Sequence, residues 1–304
     1  MRPENSMIQA IFFGNYFYGI CAVTLSIEAA LQQFVPLNHI GYYVLVFAAT
    51  VLYYTYAYIS IITFDVYNQR SVWYAANKKA VMFSQIFFTV IFIVCGSIFL
   101  KNQWQNILKI PLSEWGTIVV FPIVSAFYYG INLPMFQSKN LRSFGWFKPF
   151  FIGFVWAGFV TVYPIIFYHI TTNTFYEITL LGCLLFIKNF MFVTVLCIMF
   201  DIKDYAADHN QQLKTFVVRV GLRKTIFYII VPLCIIGLTT FIFSATMRHF
   251  SLLKISINTI PFILLIIVAY SLQRRKSILY YLAIIDGLLL IKSLCGIIGV
   301  SLIK

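Results

Sequence analysis

The chain has 304 residues, of which 61% are hydrophobic and only 10% are charged. Soluble domains carry about a quarter charged residues, so this composition excludes a water-soluble protein and predicts one embedded in the lipid bilayer. The net charge of +13 comes from short basic clusters between apolar runs, not from one solvated basic face. This distribution argues against a nucleic-acid partner and favours anionic headgroups or a phosphate-bearing substrate.

Nine apolar stretches are long enough for membrane-spanning helices, which need about 20 mostly apolar residues. They lie at residues 8–34, 40–64, 80–100, 115–135, 150–170, 177–200, 225–246, 256–272 and 278–302. No Gly/Ser linker or low-complexity tract separates them, so we expect residues 1–304 to form one all-α domain, a bundle of about nine transmembrane helices. The N-terminal segment does not have the pattern of a cleavable signal peptide.

Lysine and arginine are unevenly shared between the loops at the two ends of these helices. The even-numbered loops carry fourteen basic residues, whereas the odd-numbered loops carry four. Basic residues favour the cytoplasmic side, so the pattern predicts a cell (inner) membrane protein with its N-terminus inside and its C-terminus outside. The six cysteines lie within apolar stretches without a CxxC pair, and we expect neither disulfides nor a metal–thiolate site.

Three aspartates at the end of the sixth predicted span are the clearest chemical signal. Asp201, Asp204 and Asp208 fall on one stripe of a helix that turns by about 100° per residue, where their charges repel one another. A Mg²⁺ ion would relieve this repulsion, because it prefers oxygen ligands and bridges to substrate phosphates. The alternative is a solvated loop whose acids balance its bases. Nearby cations are candidate contacts for the phosphates, namely Lys203, Lys214 and Arg219.

The stretch DIKDYAADHNQQLKTFVVRVG, residues 201–221, resembles the second aspartate-rich motif of the UbiA superfamily of membrane prenyltransferases. That resemblance implies a helical bundle around an apolar cavity, with a prenyl diphosphate held by Mg²⁺ at two aspartate-rich loops. Ionisation of the diphosphate then gives an allylic cation, which a membrane-soluble acceptor captures. The implied acceptor is aromatic, a quinone precursor or a lipid. Asp204 and Asp208 are the implied metal ligands.

The chain departs from the family pattern at the end of the second span, where the first aspartate-rich motif is expected. Asp65 is the only acid there and is a weak candidate ligand, followed by Arg70 and Lys78 as weak diphosphate contacts. A prenyl diphosphate carries about three negative charges, so basic residues would have to replace the second metal site. The leading hypothesis is therefore a divergent prenyltransferase. Its alternatives are a non-catalytic isoprenoid-binding homologue and, less favoured, a secondary transporter.

Further candidates come from a basic linker and from polar groups near the cavity. Residues 139–153 resemble the family's linker before its fourth or fifth span, which makes Arg142 and Lys148 candidate diphosphate contacts, with membrane anchoring as the alternative. Asn15, Tyr54 and Tyr58 are expected at the cavity, and a helix–helix hydrogen bond is the alternative role for Asn15.

Four other polar residues lie within predicted spans, where ionisable groups are costly. Glu28 is near the outer end of its span, and we expect it to reach water. Lys188 is expected to pair within the bundle. Asp286 and Lys292 lie on different faces of the last span and are not expected to pair with each other.

Overall fold

A computed structural model of the chain describes residues 4–59, 68–129, 147–210, 216–274 and 276–301. Within these ranges the chain is helical and contains no strand. We number the helices in chain order as α1 (Glu4–Phe13), α2 (Tyr16–Gln32), α3 (Ile40–Ile59), α4 (Gln69–Ala76), α5 (Lys78–Leu108), α6 (Leu112–Tyr129), α7 (Lys148–Thr172), α8 (Leu180–Asn210), α9 (Phe216–Val220), α10 (Leu222–Met247), α11 (Leu252–Ser271) and α12 (Ile278–Ser301).

Six of the described helices are long and apolar enough to cross a membrane, namely α5, α7, α8, α10, α11 and α12. Helices α1 and α2 meet at 58° and would add a seventh span if counted together. The protein is thus an all-α membrane protein. The predicted spans at 40–64 and 115–135 overlap the shorter apolar helices Ile40–Tyr56 and Leu112–Tyr128, and residues 60–64 and 130–135 lie outside the described ranges. The count of nine spans stays a prediction.

The helices pack into a bundle that closes on itself. Helix α2 contacts α3, α3 contacts α5, α7 contacts α8, and α8 contacts α10. Helix α11 joins α10 to α12, and α12 returns to α2. Helix α7 also packs on α2, α5 and α6, which places it across the middle of the bundle. Large apolar side chains fill the resulting core, including Leu25, Phe192, Ile198, Ile230 and Leu288.

Helix α5 shows how the bundle meets lipid. Its most apolar window is not buried by the rest of the protein, and it exposes large side chains such as Phe83, Ile86, Phe87 and Val90. Hydrocarbon tails solvate such a surface, whereas water would not. The apolar exterior is therefore what a chain surrounded by lipid hydrocarbon needs.

Several helices depart from regular α geometry. The chain bends between α1 and α2, where Asn15 adopts a left-handed backbone conformation with φ 65°. A Cβ atom on the preceding Gly14 would lie 2.5 Å from the carbonyl oxygen of Ala10, so this break needs a glycine. Single π-helical turns interrupt α7, α10 and α12, at Gly158–Val162, Ile226–Ile230 and Tyr281–Ile285. Such turns often occur at functional sites.

Glu28 does not reach water, so the expectation from its sequence position is wrong. Its side chain is 1% exposed, and its two carboxylate oxygens pair with Lys188 Nζ at 3.3 Å and with Lys292 Nζ at 2.6 Å. Gln32 donates to the same carboxylate at 2.9 Å and accepts from Lys188 at 3.0 Å. Helices α8 and α12 bring the lysines to α2, and this is a tertiary contact that spacing along one helix cannot reveal. The pairing of Lys188 within the bundle is confirmed.

Candidate functional site

The break between α1 and α2 is the centre of a buried polar cluster. It frees the carbonyl oxygen of Phe13, which accepts hydrogen bonds from Arg70 Nη2 at 3.1 Å and from the Tyr74 hydroxyl at 2.8 Å. Arg70 also donates to the side-chain oxygen of Asn15, and the Asn15 amide donates to Thr55 at 3.0 Å. Asn15 therefore makes the helix–helix hydrogen bonds that were the alternative to a cavity role.

Short-range sequence features hold Arg70 in that cluster. The Asn68 side chain caps α4 by accepting from the backbone N–H groups of Arg70 and Ser71. The guanidinium lies 3.9 Å from the centre of the Tyr58 ring and donates to its hydroxyl at 2.9 Å. Burial raises the pKa of Tyr74, which keeps its phenol protonated as a hydrogen-bond donor. Arg70 is 5% exposed, so it is occupied by internal contacts.

Three aromatic side chains form a continuous wall one helical turn deeper than this cluster. The Tyr18 and Tyr54 rings stack with centroids 4.8 Å apart. Trp156 lies 6.1 Å from Tyr54 and donates its indole N–H to the Tyr54 hydroxyl. The wall joins α2, α3 and α7, so its geometry depends on the packing of all three helices.

Tyr54 and Trp156 also line an apolar cavity of about 370 Å³. This volume is in the range of about 300–1,000 Å³ that is typical of ligand sites. Nine of its other lining residues are aromatic or hydroxyl-bearing, namely Thr50, Tyr53, Phe92, Phe121, Ser125, Tyr128, Phe151, Phe159 and Tyr163. A second, polar-edged groove of about 670 Å³ lies on the other side of α3, where Thr55 lines it together with residues of α1, α4 and α5.

An ion pair lies close to the aromatic cavity. Lys148 begins α7 next to Pro149, whose fixed φ suits the first turn of a helix. Its ammonium lies 3.0 Å from Asp201 Oδ1, and Asp201 is 1% exposed. Phe151 is one helical turn along α7 from Lys148 and lines the cavity. The acid-bearing end of α8 is therefore one turn away from the cavity wall.

Asp286 is a second buried carboxylate in the same half of the bundle. It is 3% exposed and lies directly after the π-helical turn of α12. The Tyr18 hydroxyl is within hydrogen-bonding reach of this carboxylate, and Arg70 and Lys203 act on it electrostatically. Among the described residues, its Oδ2 atom has no hydrogen-bond partner. Asp286 thus extends the aromatic wall on its α12 side.

The other predicted site residues fall into three groups. Lys203, Arg219 and Lys78 are described, and all three are exposed, near the end of α8, on α9 and at the start of α5. Asp204 and Asp208 belong to α8, where they follow Asp201 by one and two turns, but their side chains are outside the description. Asp65, Arg142 and Lys214 lie outside the described residues altogether.

Side chains that the structure describes include no group of three acids, histidines or cysteines arranged to hold a metal ion. Lys148 already occupies one oxygen of Asp201, which makes Asp201 a poorer ligand than the sequence suggests. Metal binding by Asp204 and Asp208 stays a prediction.

Neither a family model, nor a curated protein, nor a solved structure matches this chain.

Sequence reasoning did not single out Tyr18 or Trp156, and it gave Asp286 no role. The two aromatics are hidden among 57 Phe, Tyr and Trp residues, so composition could not distinguish them. Asp286 carried a usable signal, because an acid in the interior of a membrane span is a functional candidate by default.

Proposed function

We propose that this protein is a divergent membrane prenyltransferase of the UbiA type. It would move a prenyl group from a prenyl diphosphate to an aromatic, quinone-precursor or lipid acceptor. The observation that carries the proposal is the aromatic cavity whose wall begins one helical turn from the Lys148–Asp201 pair. An apolar tail and an anionic head would need these two environments side by side.

The charges at this end of the bundle suit the diphosphate. Lys148 lies on α7 one turn from the cavity wall, Lys203 follows Asp201 by two residues on α8, and Arg219 lies on α9. Charge-assisted hydrogen bonds from such groups are roughly twice as strong as neutral ones. Mg²⁺ bound by Asp204 and Asp208 would supply further neutralisation of the leaving diphosphate.

The aromatic wall suits the reactive end of the prenyl chain. When the C–O bond to the diphosphate breaks, positive charge develops on the allylic carbons, and the faces of Tyr54 and Trp156 are negative. None of the described residues that line the cavity is charged, and the cavity would keep water away from that cation until the acceptor arrives. Tyr18 and Trp156 hold Tyr54 in a fixed orientation, which preserves the wall during the reaction.

A non-catalytic isoprenoid-binding protein is the second candidate. It is favoured by the Lys148–Asp201 pair, since an acid already paired with lysine contributes less to binding a metal. The same cavity would then hold a prenyl lipid without cleaving it.

Binding measured in detergent tests the proposal. Wild-type protein should bind a labelled prenyl diphosphate only when Mg²⁺ is present, and Asp204→Asn should abolish this binding. Glu177→Gln is the matched control, because Glu177 is an exposed acid outside the motif. Metal-independent binding, or binding that survives Asp204→Asn, would show that the site is misassigned.

Two further measurements separate the enzyme from the lipid-binding alternative and test the cavity. Incubation with labelled prenyl diphosphate and a panel of quinone precursors should give prenylated product, whereas binding without product supports the second candidate. Ser125→Trp places a large ring in the cavity and should weaken binding of the prenyl diphosphate while leaving inorganic diphosphate binding unchanged. Equal effects on both ligands would argue that the tail lies elsewhere.

A further inference from the structure

A second charged region lies at the opposite end of the bundle from Asp201. Lys188 is about 20 Å from Asp201 along α8, at a rise of 1.5 Å per residue. Two lysines share the single carboxylate of Glu28 there, so this buried cluster carries a net positive charge. Arg248 follows the end of α10 and lies close enough to Lys188 for the two charges to repel each other. More positive charge is therefore gathered here than the described acids neutralise.

Two aromatic rings hold the Arg248 guanidinium in place, but two of its nitrogen atoms lack hydrogen-bond partners among the described residues. It stacks between Phe34 and Phe250, with its central carbon 4.3 Å and 4.7 Å from the two ring centres. Its Nε and Nη2 atoms are buried and have no hydrogen-bond partner among the residues that the structure describes. Within the same ranges no carboxylate pairs with it. Partial burial lowers the pKa of Arg248, but arginine stays protonated at neutral pH, so its positive charge lacks a neighbouring carboxylate among the described residues.

A second cation and an apolar rim complete the site. The Lys254 ammonium lies 4.4 Å from the centre of the Phe250 ring, which Arg248 also contacts. Four large apolar side chains around these cations are at least half exposed, namely Phe34 at 72%, Met247 at 53%, Leu252 at 82% and Leu253 at 61%. An anion that also carries hydrocarbon chains fits this arrangement better than a free inorganic ion does.

We propose that Arg248 and Lys254 form a binding site for the phosphate of an anionic phospholipid at this end of the bundle. The partly exposed Arg248 side chain donates to the phosphate oxygens, and Lys254 adds a second positive charge. The acyl chains lie against Met247, Leu252 and Leu253. Because the Glu28 cluster behind the site is itself positive, a lipid with net negative charge is preferred over a zwitterionic one.

The test uses the purified full-length protein in mixed micelles, with lipid adducts counted by native mass spectrometry. Phosphatidylglycerol should be retained in preference to phosphatidylcholine of identical acyl chains. Arg248→Gln should lower the affinity for phosphatidylglycerol roughly tenfold, because it removes charge-assisted hydrogen bonds, and Lys254→Gln should lower it about fivefold. Arg248→Lys keeps the charge without the fork and should fall between these values and the wild type.

Lys109→Gln is the matched control, because Lys109 is an exposed cation beyond the end of α5. It should leave the lipid affinity unchanged. Equal retention of the two lipids, or an equal effect of Arg248→Gln and Lys109→Gln, would overturn the proposal. Soluble glycerol phosphate and inorganic phosphate form a third arm. If either displaces the phospholipid at comparable concentration, the site binds free anions and the assignment to a lipid is wrong.

Discussion

Replacing Glu28 by methionine would leave Lys188 and Lys292 buried without a counter-charge. Methionine has a similar unbranched shape, so the change removes the carboxylate while leaving only a small change in volume. Both ammonium groups are at most 6% exposed and pair with this carboxylate at 3.3 Å and 2.6 Å. Removing one partner of a buried ion pair costs about 3–5 kcal/mol, and here two cations lose theirs. We therefore expect Glu28→Met to lower the free energy of unfolding by at least about 3 kcal/mol.

The triple variant Glu28→Met, Lys188→Met, Lys292→Met separates the cost of unpaired charge from the value of the pair. Apolar residues of similar volume often replace a buried charge cluster with little loss, because no ion then needs desolvation. The triple variant should therefore recover most of the stability that the single variant loses, to within about 1 kcal/mol of wild type.

Stepwise unfolding in mixed micelles of increasing SDS content, followed by tryptophan fluorescence, measures these differences. Glu177→Gln is again the control, since an exposed acid should change stability by no more than about 0.5 kcal/mol. A loss below about 1 kcal/mol for Glu28→Met would refute the reasoning. So would a triple variant that is less stable than the single one.

Three other changes probe packing, the helix break and the aromatic wall. Gly296→Ala should destabilise the protein by about 1–3 kcal/mol, because the new Cβ would lie 2.5 Å from the Glu28 side chain. At Gly96 a Cβ meets no atom within 4 Å, so Gly96→Ala should be neutral or stabilising. The same SDS unfolding assay compares the two variants. Asn15→Ala removes hydrogen bonds that join three helices and should cost about 2 kcal/mol, measured as a lower midpoint of thermal unfolding in detergent; an unchanged midpoint would contradict a structural role. Trp156→Phe keeps an aromatic ring but removes the N–H donor to a tyrosine, so it should weaken prenyl diphosphate binding, and Trp156→Ala should weaken it further. Wild-type binding by Trp156→Phe would exclude an orienting role for that hydrogen bond.

Hydropathy and length predicted most of the helices, because lipid as a solvent imposes a strong and simple pattern. The spans placed at 80–100, 150–170 and 225–246 each fall within a described helix, and those at 177–200 and 256–272 overlap one to within three residues. The helix ends were less accurate. Helix α5, for example, continues to Leu108, because its last polar turns remain helical beyond the apolar window.

Side-chain partners between helices could not be predicted in the same way. The position of Glu28 along its helix suggested water, and only the approach of α8 and α12 reveals its two lysines. Arg70 looked like a substrate contact because it is a cation in a loop, but the carbonyl freed by the break at Asn15 engages it instead. Each case depends on a neighbour distant in sequence, and local pattern carries no information about it.

The π-helical turn at Tyr281–Ile285 changes which directions the side chains of α12 face before and after it. A π turn contains one residue more than an α turn, so everything on one side of it is rotated by about 100° relative to a continuous α-helix. The segment after the turn carries Lys292 to Glu28, while Asp286 is placed at its edge facing Tyr18. A one-residue deletion within the turn would restore a regular helix and separate these two alignments. The turn therefore allows one helix to contribute a residue to the charge cluster at one end of the bundle and another to the aromatic wall at the other end.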